Sequence, residues 1–382
     1  MIGGGIAGGA AARALQRDGA EVTLFERHET LAAEGSGNPA GLITPRLTRD
    51  GGASGRFYDA AFLHALGLLD ALEGQGLTVR HGQGGVLIAD LEPARQRQLI
   101  AHYGWPETIM RTVDGTAARE LTGLDCPHGG LWFAAAGCIF PALLVAALAR
   151  DLDLRLGTEI HALNRQVDGW RLDLGGETVD ADAVVLANGV FARRLMAEIP
   201  LAVTANRGQV TLLEADAAPT AAVSAGGYLT PETGGICVLG ATYDRWTDLD
   251  DGGWRKLRDA DHRRNLADGP GKGAVVGGRA ALRAVTADRL PLVGALHDEA
   301  AYRRDYDGLH HGRPAAGYPE ATYVPGLYTF CGFGSHGLQT APLAAEVLSG
   351  LVLGAPVPVA DDLADALHPA RFLIRELKKK RR

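Results

Sequence analysis

Three glycines near the beginning of the chain have the spacing of a nucleotide-binding turn. Gly3, Gly5 and Gly8 form the pattern G-x-G-x-x-G, and an alanine-rich segment typical of a helix follows. A short apolar segment, VTLFE, then ends at Glu26. In a dinucleotide-binding unit such glycines let the backbone approach a pyrophosphate, and an acidic residue after the second strand binds the adenosine ribose. The combination predicts a βαβ unit that binds a dinucleotide.

A second glycine-bearing loop, EGSGNPAGLITPR, favours a flavin over a nicotinamide cofactor. It follows the ribose strand directly, where nicotinamide enzymes rarely have such a loop. Ser36 and Asn38 supply hydrogen-bond donors, while Gly37 and Gly41 permit close approach of the backbone. We therefore expect this loop to cover the pyrophosphate and the isoalloxazine of FAD.

Two later segments are expected to complete the FAD site. VVLANG, at 184–189, predicts a strand that returns beside the cofactor, and CGFGSHGLQTAP predicts a glycine turn ahead of a helix. The N1–C2=O edge of a flavin becomes anionic on reduction, so N–H groups at a helix N-terminus would stabilise it. The predicted cofactor-binding residues are Gly3, Gly5, Ile6, Ala7, Gly8, Glu26, Ser36, Gly37, Asn38, Gly41, Leu42, Asn188, Gly189, Arg283, Gly332, Gly334, Ser335, His336, Gly337 and Leu338.

Three side chains are predicted to act on the substrate. Arg283 is the first candidate for binding a carboxylate, because the planar guanidinium matches two carboxylate oxygens. Tyr228 could bind a carboxylate or an amine, and His336 could add a hydrogen-bond donor. Arg46 and Arg207 are alternative cations, with a structural or phosphate-facing role as the competing interpretation. No general base is predicted, since a flavin oxidises a neutral amine that the protein only has to orient.

The length of 382 residues predicts two domains. We expect a mixed α/β fold, in which a Rossmann-like FAD-binding domain (1–80, 140–200 and 280–382) is interleaved with an antiparallel-sheet substrate domain (81–139 and 201–279). The net charge of −7 disfavours broad nonspecific binding of nucleic acid and leaves room for a local basic patch.

The cysteine spacing and the lengths of the apolar stretches disfavour a metal site, a disulfide framework and a membrane-spanning segment. The four cysteines have no C-x-x-C spacing, so neither a metal site nor a disulfide framework is expected, and reduced thiols indicate a cytoplasmic protein. No apolar stretch is long enough to cross a bilayer. The final five residues, Lys378 to Arg382, are all cationic, which is typical of a solvated tail.

Several motifs together resemble a known family. GGGIAG, VVLANG, the segment from Arg283 to Gly294 and the last glycine turn are similar to the D-amino-acid-oxidase/glycine-oxidase superfamily. Within it, the segments GSGNPAGLITPRL, RGQV, GATYDRWTDLD, DHRRNL, YDGLHHGR, GFGSHGLQTAPLAAEVL and LHPARFLIREL resemble the FAD-dependent oxidase domain of the MnmC-type tRNA wobble-uridine modification enzymes. The resemblance extends from Ile2 to about Leu377.

This resemblance implies a reaction and a partner. The expected reaction removes the carboxymethyl group of 5-carboxymethylaminomethyl-(2-thio)uridine at the tRNA wobble position, giving aminomethyl-uridine and glyoxylate. Arg283 matches the superfamily's carboxylate-binding arginine, Tyr228 roughly matches its active-site tyrosine, and His336 lies in a turn where relatives vary. A tRNA substrate also makes the cationic tail a candidate for salt-dependent phosphate contacts.

The resemblance also bears on the boundaries of the chain. MnmC-type enzymes often have a methyltransferase domain on the N-terminal side, so we expect an oxidase half that stands alone or was cut from a longer protein. Only Met1 and Ile2 precede Gly3, and we expect upstream residues or another segment to complete the first strand.

Two other interpretations remain open from the sequence. One is a small-molecule amine or amino-acid oxidase of the glycine- or sarcosine-oxidase kind, which shares the same motifs. The other is a flavin- or tRNA-binding protein without catalytic activity.

Overall fold

The computed structural model describes residues 1–48, 51–82, 84–195, 201–250, 252–312 and 317–379. The helices are α1 (Ile6–Arg17), α2 (Ala53–Gly74), α3 (Pro93–Tyr103), α4 (Gly115–Thr122), α5 (Pro141–Leu148), α6 (Ala192–Leu195), α7 (Asp259–Asp268), α8 (Glu299–Asp305), α9 (Gly337–Leu353), α10 (Asp361–Leu367) and α11 (Arg371–Lys379). The strands are β1 (Thr23–Phe25), β2 (Gly41–Ile43), β3 (Arg80–His81), β4 (Val86–Ala89), β5 (Arg111–Val113), β6 (Gly130–Phe133), β7 (Gly137–Ile139), β8 (Asp153–Arg155), β9 (Ala162–Gln166), β10 (Gly169–Asp173), β11 (Thr178–Ala181), β12 (Val184–Leu186), β13 (Thr204–Glu214), β14 (Ala222–Ser224), β15 (Tyr228–Leu229), β16 (Ile236–Gly240), β17 (Asp244–Trp246), β18 (Val275–Val285), β19 (Leu292–His297) and β20 (Tyr323–Cys331).

The predicted first βαβ unit is present, with a very short first strand. Ile2 forms parallel bridges to Phe25 on one side and to Leu186 on the other. It thereby connects the parallel pair β1 and β8 with β12, which continues through β20 to β19. Ile2 donates its N–H to Val185 O at 3.0 Å, and Gly3 donates its N–H to Phe25 O at 2.8 Å. The glycine turn therefore leaves the carboxyl edge of a parallel sheet, the place where open α/β sheets bind ligands.

Small residues bring the helices close to this sheet. In α1, Gly8, Gly9 and the alanines that follow are buried against α5 and α9. A Cβ atom at Gly9 would already be in van der Waals contact with Val145 and Leu148, at 3.6 Å. The buried side chains of α1, α5 and α9 form one apolar core together with residues of α2 and β20.

Among the described residues, a second sheet has nine strands. Its order is β17, β13, β16, β15, β14, β4, β6, β5, and β18 pairs antiparallel with the long strand β13. Asn206 on β13 lies opposite Arg283 of β18 and also opposite Arg245 of β17. Since successive side chains alternate between the faces of a sheet, these three residues share one face, and Arg207 belongs to the other. The small sheet β2, β7, β3 lies beside these two sheets.

Arg207 on that other face is a structural residue. Its guanidinium is fully buried, forms an ion pair of 2.5 Å with Asp261 Oδ2, and donates to Gln209 Oε1 and to two carbonyl oxygens of 254–256. These contacts fasten α7 and the preceding segment to β13. Of the two interpretations of Arg207, the geometry supports the structural one.

The described residues offer neither a membrane-spanning helix nor a cluster of metal ligands. In the part of the chain that the structure describes, no helix combines the length and the apolar composition that crossing a bilayer requires. The same residues contain no group of three or more His, Cys, Asp or Glu side chains arranged to hold a metal ion. All four cysteines are unpaired thiols.

Replacing Arg207 is expected to destabilise the protein strongly. Arg207→Met removes the close partner of the buried Asp261 carboxylate and leaves Arg264 at 3.8 Å, and breaking comparable buried pairs costs about 3–5 kcal/mol. The measurement is the free energy of unfolding from urea denaturation followed by circular dichroism. As a control, Arg171→Met removes the exposed pair between Arg171 and Asp180 and should change the midpoint little. Equal losses for the two variants would contradict a structural role of the Arg207 network.

Candidate active site

One elongated cavity of about 640 Å³ connects the two sheets. It extends from the glycine turn at the start of α1 to Tyr228 and Arg283 on the second sheet. The predicted residues that line it are Gly3, Gly5, Ile6, Ala7, Glu26, Ser36, Asn38, Gly41, Leu42, Asn188, Gly189, Tyr228, Arg283, Gly332, Gly334, Ser335, His336, Gly337 and Leu338. Gly8 and Gly37 are not part of the lining, and both lie directly behind it.

The glycine turn is shaped for close approach of a ligand to the backbone. Gly3 has φ +110°, and a Cβ there would lie 2.8 Å from Ala187 O. A Cβ at Gly8 would lie 1.7 Å from Gly3 O, so Gly8 permits the contact between helix and strand. Helix α1 begins at Ile6, whose N–H donates to Ser36 Oγ at 3.0 Å. The positive end of this helix faces the cavity, which suits a pyrophosphate.

Glu26 lies at the end of β1, beside the turn. One carboxylate oxygen accepts from the N–H of Gly4 at 2.6 Å and the other accepts from the N–H of His28 at 3.0 Å. The side chain is buried and lines the cavity. These two backbone bonds fix the carboxylate at the position where a ribose hydroxyl would meet it.

Arg279 anchors the loop that follows Glu26, and the sequence analysis did not identify it. Its guanidinium donates to Ala33 O at 2.7 Å, to Asn38 Oδ1 at 3.2 Å and to Glu34 O. A Cβ at Gly37 would lie 2.6 Å from Arg279 Nη2, so glycine is needed here for the clamp. No motif surrounds Arg279; the available signal was its position four residues before Arg283 on one strand, which puts both on the same face.

The two polar side chains of this loop, which are predicted to donate to the cofactor, also have contacts within the protein. Ser36 Oγ accepts from Ile6, and Asn38 Oδ1 accepts from Arg279, so both oxygens bind the protein itself. Asn38 also hydrogen-bonds the phenol of Tyr228. Their contribution is to hold the loop in position against α1 and the second sheet.

An unsatisfied polar group lies at the end of β12. The Asn188 Oδ1 atom is buried and has no hydrogen-bond partner among the described residues, and Asn188 lines the cavity. Buried acceptors are normally paired, so this oxygen needs a hydrogen-bond donor, which a bound ligand would supply. Hydroxyl groups, which a ribityl or ribose chain supplies, meet that requirement. The glycine turn, Glu26 and Asn188 together fit a bound dinucleotide such as FAD.

The last glycine turn lines the cavity beside the start of α1, where a Cβ at Gly337 would lie 3.2 Å from Ile6 Cγ2. Gly332 and Gly334 have φ +83° and +58°, and α9 begins at Gly337 immediately after His336. Burial, reinforced by the charges of Arg46, Arg289 and Arg283, lowers the pKa of His336 to about 4. His336 is therefore a neutral imidazole near pH 7, and it packs edge-on against Tyr58 with ring centroids 5.3 Å apart.

Arg283 is a mostly enclosed cation without an anionic partner. Its Nη1 donates to Thr242 O at 3.2 Å, and none of the ion pairs of the described residues includes it. Burial lowers the pKa of Arg283, although Tyr228 and Tyr243 oppose that change. Gly208 supplies the space, because a Cβ there would lie 1.7 Å from Nη1. An enclosed guanidinium that lacks a counter-ion is a ready site for an anion.

Tyr228 stands next to this arginine. Burial raises the pKa of Tyr228 to about 12, so the phenol keeps its proton at working pH. It packs against a cluster that contains Val210 and Cys138, and it lines the cavity as Arg283 does. Arg46, the other alternative cation, lies over the ring of Tyr58 at 4.6 Å, and its buried Nη1 has no hydrogen-bond partner among the described residues.

Comparison with known proteins identifies the family. The model of the FAD dependent oxidoreductase (DAO) family matches residues 1–351. The chain belongs to the FAD-dependent oxidoreductases. The cofactor, the enzyme class and the resemblance to MnmC expected from the sequence are thereby confirmed.

The similar sequences are longer than this chain. A bifunctional MnmC protein of tRNA 5-methylaminomethyl-2-thiouridine biosynthesis from Magnetococcus marinus is 40% identical over 402 aligned positions, which cover 99% of this chain and 60% of that protein. The protein of the same name from Burkholderia pseudomallei is 39% identical with the same coverage. The chain thus spans about 60% of the length of these relatives.

Solved structures confirm the predicted fold class. Glycine oxidase from Geobacillus kaustophilus superposes with a TM-score of 0.73 at 22% identity, covering 97% of each chain. Iminodiacetate oxidase from a Chelativorans species gives a TM-score of 0.72 at 19% identity, covering 96% of this chain and 98% of that one. At these identities the similarity establishes the fold alone.

Removing the clamp on the loop is expected to weaken FAD binding. Arg279→Met loses hydrogen bonds from a charged group to three loop residues, so we expect the Kd for FAD to rise about 10- to 100-fold. The measurement is FAD fluorescence quenching on reconstitution of the apoprotein. Arg165→Met, on the exposed strand β9, serves as the matched control. An unchanged Kd in Arg279→Met would show that the loop holds its shape without the clamp.

Proposed function

We propose that this chain is the oxidase that removes the carboxymethyl group from 5-carboxymethylaminomethyl-(2-thio)uridine at the wobble position of tRNA. The observation that carries the proposal is Arg283, an enclosed guanidinium without a counter-ion at the end of a cofactor-sized cavity. The reacting part of this nucleoside is in effect a glycine that carries the base on its nitrogen. A carboxylate bound at Arg283 would neutralise the cation and fix the neighbouring carbon.

The reaction divides between cofactor and protein. When bound, FAD accepts a hydride equivalent from the carbon between the nitrogen and the carboxylate of the substrate. Water then hydrolyses the resulting imine of the substrate, which yields aminomethyl-uridine and glyoxylate. Arg283 binds the carboxylate, and Tyr228 donates a hydrogen bond from its phenol to the substrate. Neutral His336 supplies another hydrogen bond beside the first turn of α9. In this scheme the positive end of α9 favours negative charge on the reduced cofactor.

The proposed FAD contacts follow the lining of the cavity. The turn at Gly3 to Ala7 and the N-terminus of α1 would hold the pyrophosphate, Glu26 the ribose, and Asn188 with Gly189 the ribityl region. Residues 41–42 and 332–338 would enclose the isoalloxazine. Gly8 and Gly37 would contribute by keeping α1 and the loop in place. We propose two domains. The FAD-binding domain comprises 1–80, 140–200 and 280–382 and contains the sheet of β1 and β12. The substrate domain comprises 81–139 and 201–279.

The tRNA part of the proposal rests on the relatives and on local charge. The MnmC relatives are named for tRNA modification, and the aligned part is 60% of their length, so a methyltransferase domain or protein is the proposed partner. Lys378 and Lys379 are exposed at the end of α11, and Lys380, Arg381 and Arg382 lie outside the described residues. The proposed compartment is the cytoplasm, where tRNA is modified and unpaired thiols stay reduced.

A small-molecule oxidase of the glycine- or sarcosine-oxidase kind is the second candidate. The enclosed guanidinium of Arg283 favours it as well, since glycine and sarcosine contain the same carboxylate and amine on one carbon. A protein without catalytic activity is disfavoured by membership of an oxidoreductase family.

The deciding experiment follows flavin bleaching without oxygen. The FAD-loaded protein is mixed with tRNA that carries the carboxymethylaminomethyl group, with unmodified tRNA, with glycine and with sarcosine. We expect bleaching with the modified tRNA and formation of glyoxylate. Bleaching by glycine or sarcosine while the modified tRNA remains inert would overturn the proposal in favour of the second candidate.

Arg283→Leu should separate substrate binding from cofactor binding. The variant lacks the charge for the carboxylate, so we expect kcat/KM for the modified tRNA to fall at least about 100-fold. The absorption spectrum of bound FAD should stay unchanged, and Arg283→Lys should recover part of the loss because it restores the charge without the planar fork. Loss of FAD from Arg283→Leu would instead assign the residue to cofactor binding.

The rate of flavin reduction should rise with pH in a single limb. The substrate amine must be neutral to react, so the rise in rate reports the deprotonation of this amine. The rate is lost as pH falls below the pKa of the amine. His336, with a pKa of about 4, and Tyr228, with a pKa of about 12, keep one charge state between about pH 5 and pH 11. Stopped-flow reduction across this range tests this. A second limb that disappears in His336→Gln or Tyr228→Phe would contradict it.

A further inference from the structure

The sheet face that carries Arg283 continues beyond the cavity to the protein surface. Arg283, Asn206 and Arg245 lie in register on neighbouring strands and share this face. Tyr243 directly precedes β17, and its ring lies beside the guanidinium of Arg283. Arg283 lines the cavity, whereas Tyr243 does not. On this face the enclosed guanidinium of Arg283 is therefore adjacent to the solvent-exposed ring of Tyr243.

Tyr243 is an exposed aromatic residue at this boundary. About half of its surface is accessible, 49%, which is high for a large apolar ring. Its ring centroid is 5.7 Å from Cζ of Arg283. Within the protein this ring therefore covers one side of the guanidinium and leaves its other parts open to a ligand.

A cation near Tyr243 suits a polyanion. Arg245 is exposed on the same face, and none of the ion pairs of the described residues includes it. Of the carboxylates on the same strand and the loop after it, Asp244 is bound to Arg264 at 2.7 Å and Asp250 is bound to Arg194, while Asp248 Oδ1 accepts the N–H of Asp250 at 3.0 Å. A cation near an exposed aromatic ring is a combination that binds single-stranded nucleic acid, because a base stacks on the ring and a phosphate pairs with the cation.

We propose that Tyr243 is the stacking platform for the base that carries the reacting side chain, and that Arg245 contacts a neighbouring phosphate. The inference rests on the proposed function and adds the place where the nucleotide docks. With the carboxylate at Arg283, the short side chain brings the pyrimidine ring out of the cavity to the position of Tyr243. Selection between a nucleotide and free sarcosine then takes place on this sheet face, outside the reacting centre.

The test compares variants on two ligands that share the N-carboxymethyl group. The FAD-loaded wild type, Tyr243→Ala, Tyr243→Phe and Arg245→Ala are assayed with the modified tRNA, and sarcosine is added as an inhibitor. Stacking of a base on an aromatic side chain contributes about 1–3 kcal/mol, so Tyr243→Ala should lower kcat/KM for tRNA about 5- to 150-fold. Tyr243→Phe should stay close to wild type, and the inhibition constant of sarcosine should not change. Tyr323→Ala, at another exposed tyrosine, is the control.

Arg245→Ala has its own readout. It should lower the slope of log K against log salt concentration for tRNA binding by about 1, as expected for the loss of one phosphate contact. An unchanged slope, or an unchanged kcat/KM in Tyr243→Ala, would overturn the docking surface. An equal loss in Tyr243→Ala for tRNA and for sarcosine would also overturn it, since Tyr243 would then act by holding Arg283.

The same data distinguish the inference from the proposed function. A wild-type protein that oxidises sarcosine and leaves the modified tRNA unchanged fails the proposed function, and the docking surface falls with it. A wild-type protein that oxidises the tRNA, together with a Tyr243→Ala variant of equal activity, fails the docking surface alone.

Discussion

An enclosed guanidinium without a counter-ion is the constraint on which the site depends. Holding Arg283 away from water costs free energy that no carboxylate among the described residues offsets through an ion pair, and the burial that lowers its pKa reflects this cost. Two neighbouring residues fit that position. Gly208 leaves the space that the guanidinium occupies, and Tyr243 covers one side of it. A bound carboxylate would offset the cost, which is why we propose that the substrate carboxylate binds at this side chain.

Strand β18 connects this cation to the cofactor loop. Arg279 and Arg283 project from the same face of the strand, the first into the loop at 33–38 and the second into the substrate end of the cavity. Antiparallel pairing with β13 fixes their spacing. Because both guanidinium groups stand on one strand, the sheet sets the distance between the loop at 33–38 and the carboxylate site proposed at Arg283.

Much of the cofactor side was predictable because its signals are local. The spacing of Gly3, Gly5 and Gly8 is a short motif that the sequence shows directly. Of the contacts that it serves, that of Gly8 with Gly3 O is local, whereas Gly3 packs against Ala187 and Gly5 against Ser36. Arg207 illustrates the limit. In the sequence it stands as a cation after a polar segment, whereas its pairing with Asp261 comes from the packing of α7 on β13, far apart in the chain. Arg279 was missed for the same reason, since strand register brings it to the site. Tyr243 lies in the segment GATYDRWTDLD, and its proximity to Arg283 becomes visible only in the fold.

Recognition of the substrate carboxylate at Arg283 is tested most directly by anaerobic flavin reduction. The measurement compares tRNA that carries carboxymethylaminomethyl-uridine with the same tRNA that carries methylaminomethyl-uridine, which keeps an oxidisable carbon on the nitrogen and has no carboxylate. We expect rapid reduction by the first, with one glyoxylate released per flavin reduced, and at least about 100-fold slower reduction by the second, with the difference lost in Arg283→Leu. Reduction of the flavin by both tRNAs at similar rates in the wild-type protein would contradict recognition of the carboxylate.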